Sequence, residues 1–278
     1  MTIDLINSRT NNQRILAWFI SASIVSLLVA TTTAMAEGMT AEQRGLEIAT
    51  EADRRDIGFG DYTVKLEMLL RNKYEQQTTR NMHNTTREQG DDGDKTLIVF
   101  DNPRDVKGTA FLSHTHKSEA DDQWLYLPAL KRVKRISSSN KSGPFMGSEF
   151  AYEDISSQEI EKYTYKYIGD ETFDGRDHFK LERFPTNAKS GYHRQVVWFD
   201  KAEYRVWKID FYDRKNDLLK TLTYSGYQQY LKQYWRADVM AMLNHQTGKS
   251  TTLTFSDYVF NIGSTDMDFT PNRLKRAR

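Results

Sequence analysis

A chain of 278 residues with 39 basic and 38 acidic side chains carries almost no net charge, so no global field steers it toward nucleic acid or anionic membranes. It contains no cysteine, which excludes disulfides, thiolate metal sites, thiol nucleophiles and a lipidated N-terminal cysteine. Aromatic residues make up 12% while overall hydropathy is low, a combination that suits long strands with one apolar and one wet face.

At the N-terminus, Arg9 and Arg14 precede an apolar run from Ile15 to Ala30, followed by small residues at Ala34 and Ala36. Basic region, apolar region and A-x-A site make a secretory signal, with Glu37 as the first mature residue. The apolar run is shorter than the ~20 residues that a membrane span needs. Residues 1–36 are therefore read as a signal peptide and 37–278 as one domain in an exported compartment, most simply a bacterial periplasm. Cleavage removes two arginines and one aspartate, leaving 37 basic and 37 acidic residues.

One helix comes next. Thr40 and Gln43 suit a capping box, TAEQRGLEIATEADRR sets Leu46, Ala49 and Asp53 on one side, and Gly58 and Gly60 end it. Period-2 alternation then takes over. DYTVKLEMLL puts Tyr62, Val64, Leu66, Met68 and Leu70 on one face. Further strands read QQTTRNMHNTTREQ, KTLIVFD, GTAFLSHTHK, QWLYLP, KRVKRIS, EKYTYKYIGDETF, DHFKLERF, HRQVVWFD, YRVWKIDFYD, LLKTLTYSGYQQY, DVMAMLNH and TTLTFSDYVFN. Turns such as DNPRD at Asp101, FDGRD at Phe173 and HQTGK at His245 separate them. So many short-looped strands predict an antiparallel meander, and so long a sheet curls. The expected fold is mainly β: a curled antiparallel sheet or incomplete β-barrel with an N-terminal helix and a helical lid segment. Such a sheet encloses more space than side chains usually fill, which favours an apolar groove. Its candidate lining is Val64, Leu66, Met68, Trp207, Ile209, Phe211, Leu222, Met240 and Met242, with methionines suited to a flexible guest.

Chemistry is sparsely signalled. His114 and His116 stand two apart in a strand, and a third metal ligand could come from Glu119 or Asp121, but two solvent-facing histidines account for the pattern as well. The DDGD run at Asp91 lacks the spacing of a calcium loop and reads as a hairpin turn. No G-x-S-x-G, H-E-x-x-H, P-loop or G-x-G-x-x-G motif occurs, so no catalytic residue, metal or cofactor is assigned and the protein is read as a non-enzyme. The strand with Lys131, Arg132, Lys134 and Arg135 reads as a charged edge, or as a contact for lipid headgroups or an acidic partner. After the SSSNKSGP loop, Phe145, Met146, Phe150 and Ile155 can form the apolar side of a short helix starting near Ser148, shaped like a lid.

Trp124, Tyr126, Leu127, Pro128, Leu130, Arg132, Arg135 and Ile136 make a W-x-Y-L-P-x-L-x-R-x-x-R-I run. It continues into Gly143, Phe145, Gly147, Ser148, Phe150, Glu153 and Asp154. This run, and the closing SDYVFNIGSTDMDFTPNRL, resemble the LolA-like outer membrane lipoprotein-sorting family. The resemblance implies an incomplete barrel closed by helices, an apolar groove for lipid or lipoprotein acyl chains, and a setting beside an RND/MMPL-type inner-membrane exporter. The expected protein is thus a monomeric periplasmic carrier. The alternative is an envelope sensor or adaptor that binds a membrane regulator without shuttling.

Overall fold

The computed structural model describes residues 38–276; the signal-peptide reading lies outside them. Residues 40–276 belong to one compact unit. Helix α1 (Ala41–Asp56) begins with the expected capping box, in which Thr40 and Gln43 bond reciprocally. Its buried face is Gly45, Ile48 and Ala49, while Leu46 faces solvent. Gly45 sets that face. A Cβ there would lie 2.8 Å from the backbone nitrogens of Lys166 and Tyr167, so only glycine lets the helix lie this close to a strand edge.

The strands, all antiparallel, are β1 (Asp61–Arg71), β2 (Gln77–Arg87), β3 (Lys95–Asn102), β4 (Ala110–His114), β5 (Asp122–Leu127), β6 (Arg132–Ile136), β7 (Tyr163–Phe173), β8 (Arg176–Pro185), β9 (Tyr192–Asp200), β10 (Val206–Asp213), β11 (Leu218–Tyr230), β12 (Tyr234–Asn244) and β13 (Ser250–Phe260). They form one 13-stranded sheet in the order β6-β5-β4-β3-β2-β1-β13-β12-β11-β10-β9-β8-β7. The single meander expected from the short turns is therefore two meanders, joined where β1 pairs with β13. Consecutive strands β6 and β7 end at opposite edges, so the sheet is not closed into a barrel.

Laid flat, thirteen strands would span roughly 57 Å. Yet Ile98, Phe111, Leu125 and Ile136 near one edge share a hydrophobic cluster with Tyr165, Leu181 and Val197 near the other. The sheet must therefore curl until its edges approach, with this cluster as its inner face. The segment joining β6 to β7, residues 137–162, has to cross the open side. On the outer face, Phe269 and Leu274 of the C-terminal turns bury themselves against Val99, Ala110 and Leu112. Asp61 accepts from the backbone nitrogen of Ile262 at 2.8 Å and from the Ser264 hydroxyl at 2.7 Å, fixing the path into those turns.

Candidate functional site

Alternation gives the inward-facing side in most strands. Val64, Leu66, Met68, Ile209, Phe211, Leu222 and Met242 are buried in the inner cluster, and Met240 packs against it half-buried. Trp207 does not join them. A bulge between Val206 and Lys208 shifts the alternation, so Val206 turns inward in its place. The Trp207 indole instead donates to Asp200 at 2.7 Å and lies under the Arg176 guanidinium, 4.1 Å from its ring centre.

The crossing segment fills the interior. Phe145 and Phe150 are fully buried, and the Phe145 ring lies 5.2 Å from Phe111, 6.0 Å from Phe100 and 5.6 Å from Tyr152. Met146 and Ile155 are half-buried against the same cluster. The expected lid helix is absent. Met146 and Gly147 both take left-handed backbone angles, which a right-handed helix cannot accommodate, and Pro144 bridges to Ala151 as a small loop. The result is a flap of single 3-10 turns, Phe145–Gly147 and Tyr152–Asp154, with its aromatic side chains pushed into the sheet.

Polar groups hold the flap there. Lys220 stands in the apolar row of β11 with its side chain only 5% exposed, and its Nζ meets Asp154 Oδ2 at 2.7 Å and the Glu149 carbonyl at 2.8 Å. The same ammonium lies 5.2 Å from the ring centres of both Tyr192 and Phe211. Asp154 also accepts from the Tyr192 hydroxyl at 2.8 Å and the Ala151 backbone at 2.7 Å. Asn244 donates to the Glu149 carboxylate at 2.7 Å, and Thr251 Oγ1 accepts from the Glu149 backbone at 3.0 Å. At the stem, Glu153 accepts from Ser190 and from the Gly191 backbone, each at 2.8 Å. Burial raises the Glu153 carboxyl above its ordinary range in spite of those donors.

Sequence reading passed over Lys220, Asn244 and Thr251. The cue was visible in LLKTLTY, where Lys220 shares the parity of Leu222 and Tyr224: a lysine in an otherwise apolar row. A buried cation of this kind persists only with a partner. Nothing in the sequence alone paired it with Asp154, 66 residues away.

The cavities among the described residues include two at the margins of the filled interior. A polar one of about 220 Å³ sits at the flap stem, lined by Lys117, Asp121, Lys141, Glu153, Lys162 and Ser190 among others. A second of about 520 Å³ includes Leu69, Thr221, Thr223, Leu243, His245 and Thr252, mostly residues that alternate with the inner row. The histidine pair parts. His114 contacts the Phe269 carbonyl at 2.7 Å, and His116 pairs with Asp92 at 2.5 Å. Burial lowers the affinity of His114 for a proton; at His116 burial is outweighed by Asp92 and Asp122, which raise it. Asp91–Asp94 lies in the β2–β3 turn, as expected. The basic strand is β6, an edge of the sheet, and Lys131, Arg132, Lys134 and Arg135 are all exposed.

Comparison with known proteins places this arrangement. A crystal structure of an outer membrane lipoprotein-sorting protein domain from Vibrio parahaemolyticus is 61% identical, with a TM-score of 0.83, over 84% of this chain and 100% of the other. The chain belongs to the LolA-like outer membrane lipoprotein-sorting family. A DUF1329 family protein from Desulfovibrio piger is 30% identical, with a TM-score of 0.81, over 84% and 99% of the two chains. A family model described as an uncharacterized protein matches residues 92–276. A LolA superfamily protein from Nitrosomonas europaea shares the fold at 19% identity, with a TM-score of 0.67, over 82% of this chain and 98% of its own. No curated protein matches.

Proposed function

We propose that the protein is a non-enzymatic carrier that holds an acyl chain of a lipid or lipoprotein in its curled sheet, with the flap as the gate. The observation that carries the reading is an apolar interior plugged by two aromatic side chains of a connecting loop, Phe145 and Phe150, and latched by a buried ion pair. A permanent core has no need of a lysine and an aspartate at its centre, since apolar residues of similar volume do as well or better there. An interior that must open gains from them, because both ions rehydrate as the flap leaves.

The energetics allow the exchange. Withdrawing two phenylalanines from the interior costs about 3–6 kcal/mol, at ~1.5–3 kcal/mol each. Each methylene that takes their place returns ~0.8 kcal/mol, so roughly eight offset the larger figure. A membrane-lipid chain is longer than that.

The proposal includes export to the periplasm, action as a monomer and delivery in cooperation with an RND/MMPL-type exporter. The family's sorting role supports the carrier reading most directly. Gentle native mass spectrometry of protein from several hosts should show adducts of lipid mass, and the purified protein should take up a fluorescent fatty acid. A ligand-free spectrum from every host, together with no uptake, would count against the carrier.

A further inference from the structure

The β6 edge is one half of a larger basic surface. The C-terminal turn Arg273–Arg276 packs against β4, β5 and β6, because Leu274 buries itself beside Val99, Ala110 and Leu112, with Trp124, Tyr126 and Val133 around it. That anchorage brings Arg273, Lys275 and Arg276, all exposed, to the flank of Lys131, Arg132, Lys134 and Arg135. Seven cations from segments about 140 residues apart thus share one rim of a chain with almost no net charge. Among the described residues, Arg135 has an acidic partner within ion-pair distance, Asp122, and the other six have none. Arg273 contributes a longer-range attraction to Asp268.

Protection of an edge strand accounts for the lysines and arginines of β6. It does not account for the second set, which lies over the outer face of the sheet and comes from a turn held by its own buried leucine. Exposed apolar side chains accompany the charge: Leu130 is 62% exposed directly before Lys131, and Met267 is 80% exposed in the turn preceding Arg273–Arg276. Half-buried Trp124 and Tyr126 lie beneath. Cations, scattered apolar tips and amphipathic aromatics are the mixture that suits a bilayer interface, where headgroups meet acyl chains.

We propose that this rim docks the protein onto the surface of an anionic phospholipid bilayer. The proposal does not depend on what the interior carries. Each cation near an anionic surface contributes a factor of about five to binding, so neutralising three should weaken it roughly 100-fold. The attraction should fade with added salt.

The test is cosedimentation of the mature chain, residues 37–278, with vesicles of phosphatidylcholine alone or mixed with phosphatidylglycerol, at low and high salt. Wild type should bind the anionic vesicles, release them in salt and ignore the neutral ones. The triple variants Lys131→Gln/Arg132→Gln/Lys134→Gln and Arg273→Gln/Lys275→Gln/Arg276→Gln should each lose roughly 100-fold, with unchanged melting temperatures because every substituted side chain is exposed. Equal binding to neutral vesicles, no binding at low salt, or a full effect from the β6 variant with none from the C-terminal one would overturn the composite rim. Crosslinking of the rim to an acidic protein in the absence of any vesicle binding would overturn the membrane assignment. A flap locked shut by a disulfide should leave vesicle binding intact. Its loss would trace the attachment to the interior instead.

Discussion

Replacing Lys220 with methionine isolates the latch. The substitution keeps an unbranched apolar stem in the interior and removes only the ammonium, leaving the Asp154 carboxylate buried with the Tyr192 hydroxyl and the Ala151 backbone as partners. Removing one member of a buried pair costs about 3–5 kcal/mol, because the remaining charge is uncompensated. For a domain of this size that corresponds to a fall in melting temperature of roughly 6–20 °C. Hydrogen exchange should show the loss concentrated in the flap, at the amides of Phe145, Ser148 and Tyr152, which bond within it. Adding Asp154→Asn should recover at least half of the loss, since an amide still accepts from Tyr192 and Ala151 and no buried charge is left. Calorimetry of the wild type, both single variants and the double variant closes the cycle. If Lys220→Met leaves the melting temperature unchanged, or if the double variant is as unstable as the sum of the singles, the latch reasoning fails.

Phe145→Ala should destabilise the protein by about 3–5 kcal/mol while increasing uptake of a fluorescent fatty acid, because it removes the plug as well as core packing. Loss of stability with uptake unchanged would mark Phe145 as core alone. Gly45→Ala, which ordinarily stabilises a helix, should here cost about 1–3 kcal/mol, since the new methyl meets the backbone of Lys166 and Tyr167. A rise in melting temperature would contradict the close approach of α1 to β7. Asp94 supplies a pH dependence: burial, with Glu159 nearby, pushes its carboxyl up to about 7. The folded state then holds this proton more tightly than the unfolded state, where an aspartate titrates near ~3.9. Its contribution to stability should be full below pH ~4, fall as pH rises to about 7, and stay flat above. Denaturant titrations across that range should show a stability difference between wild type and Asp94→Asn that grows with pH in favour of the variant, and the opposite trend would refute the assignment.

The strands were legible because alternation and turn chemistry are local. QWLYLP, KRVKRIS and TTLTFSDYVFN declare themselves whatever pairs with them. Their order was not legible. That β1 lies against β13, and that β6 and β7 take opposite edges, depends on long-range pairing that no local pattern encodes. The inward-facing residues followed from parity until a bulge moved Trp207 to the other side, and bulges leave little trace in the side-chain pattern. The conformation of residues 145–155 was not legible either. Phe145, Met146 and Phe150 suggest an amphipathic helix by composition, but the left-handed pair at Met146 and Gly147 turns the chain back on itself. Lys220 carried a visible signal, a charge in an apolar row, and its partner became identifiable only once the fold brought the flap across the sheet.

The central claim is that the flap must leave the sheet before an acyl chain can enter. Because the chain has no cysteine, Glu149→Cys with Thr251→Cys would introduce the single thiol pair, at positions already joined by a 3.0 Å hydrogen bond. Titration of oxidised and reduced protein with a fluorescent fatty acid measures the claim directly. The account predicts binding by the reduced form and none by the oxidised form, with full recovery on reduction. Equal binding by both forms would contradict it.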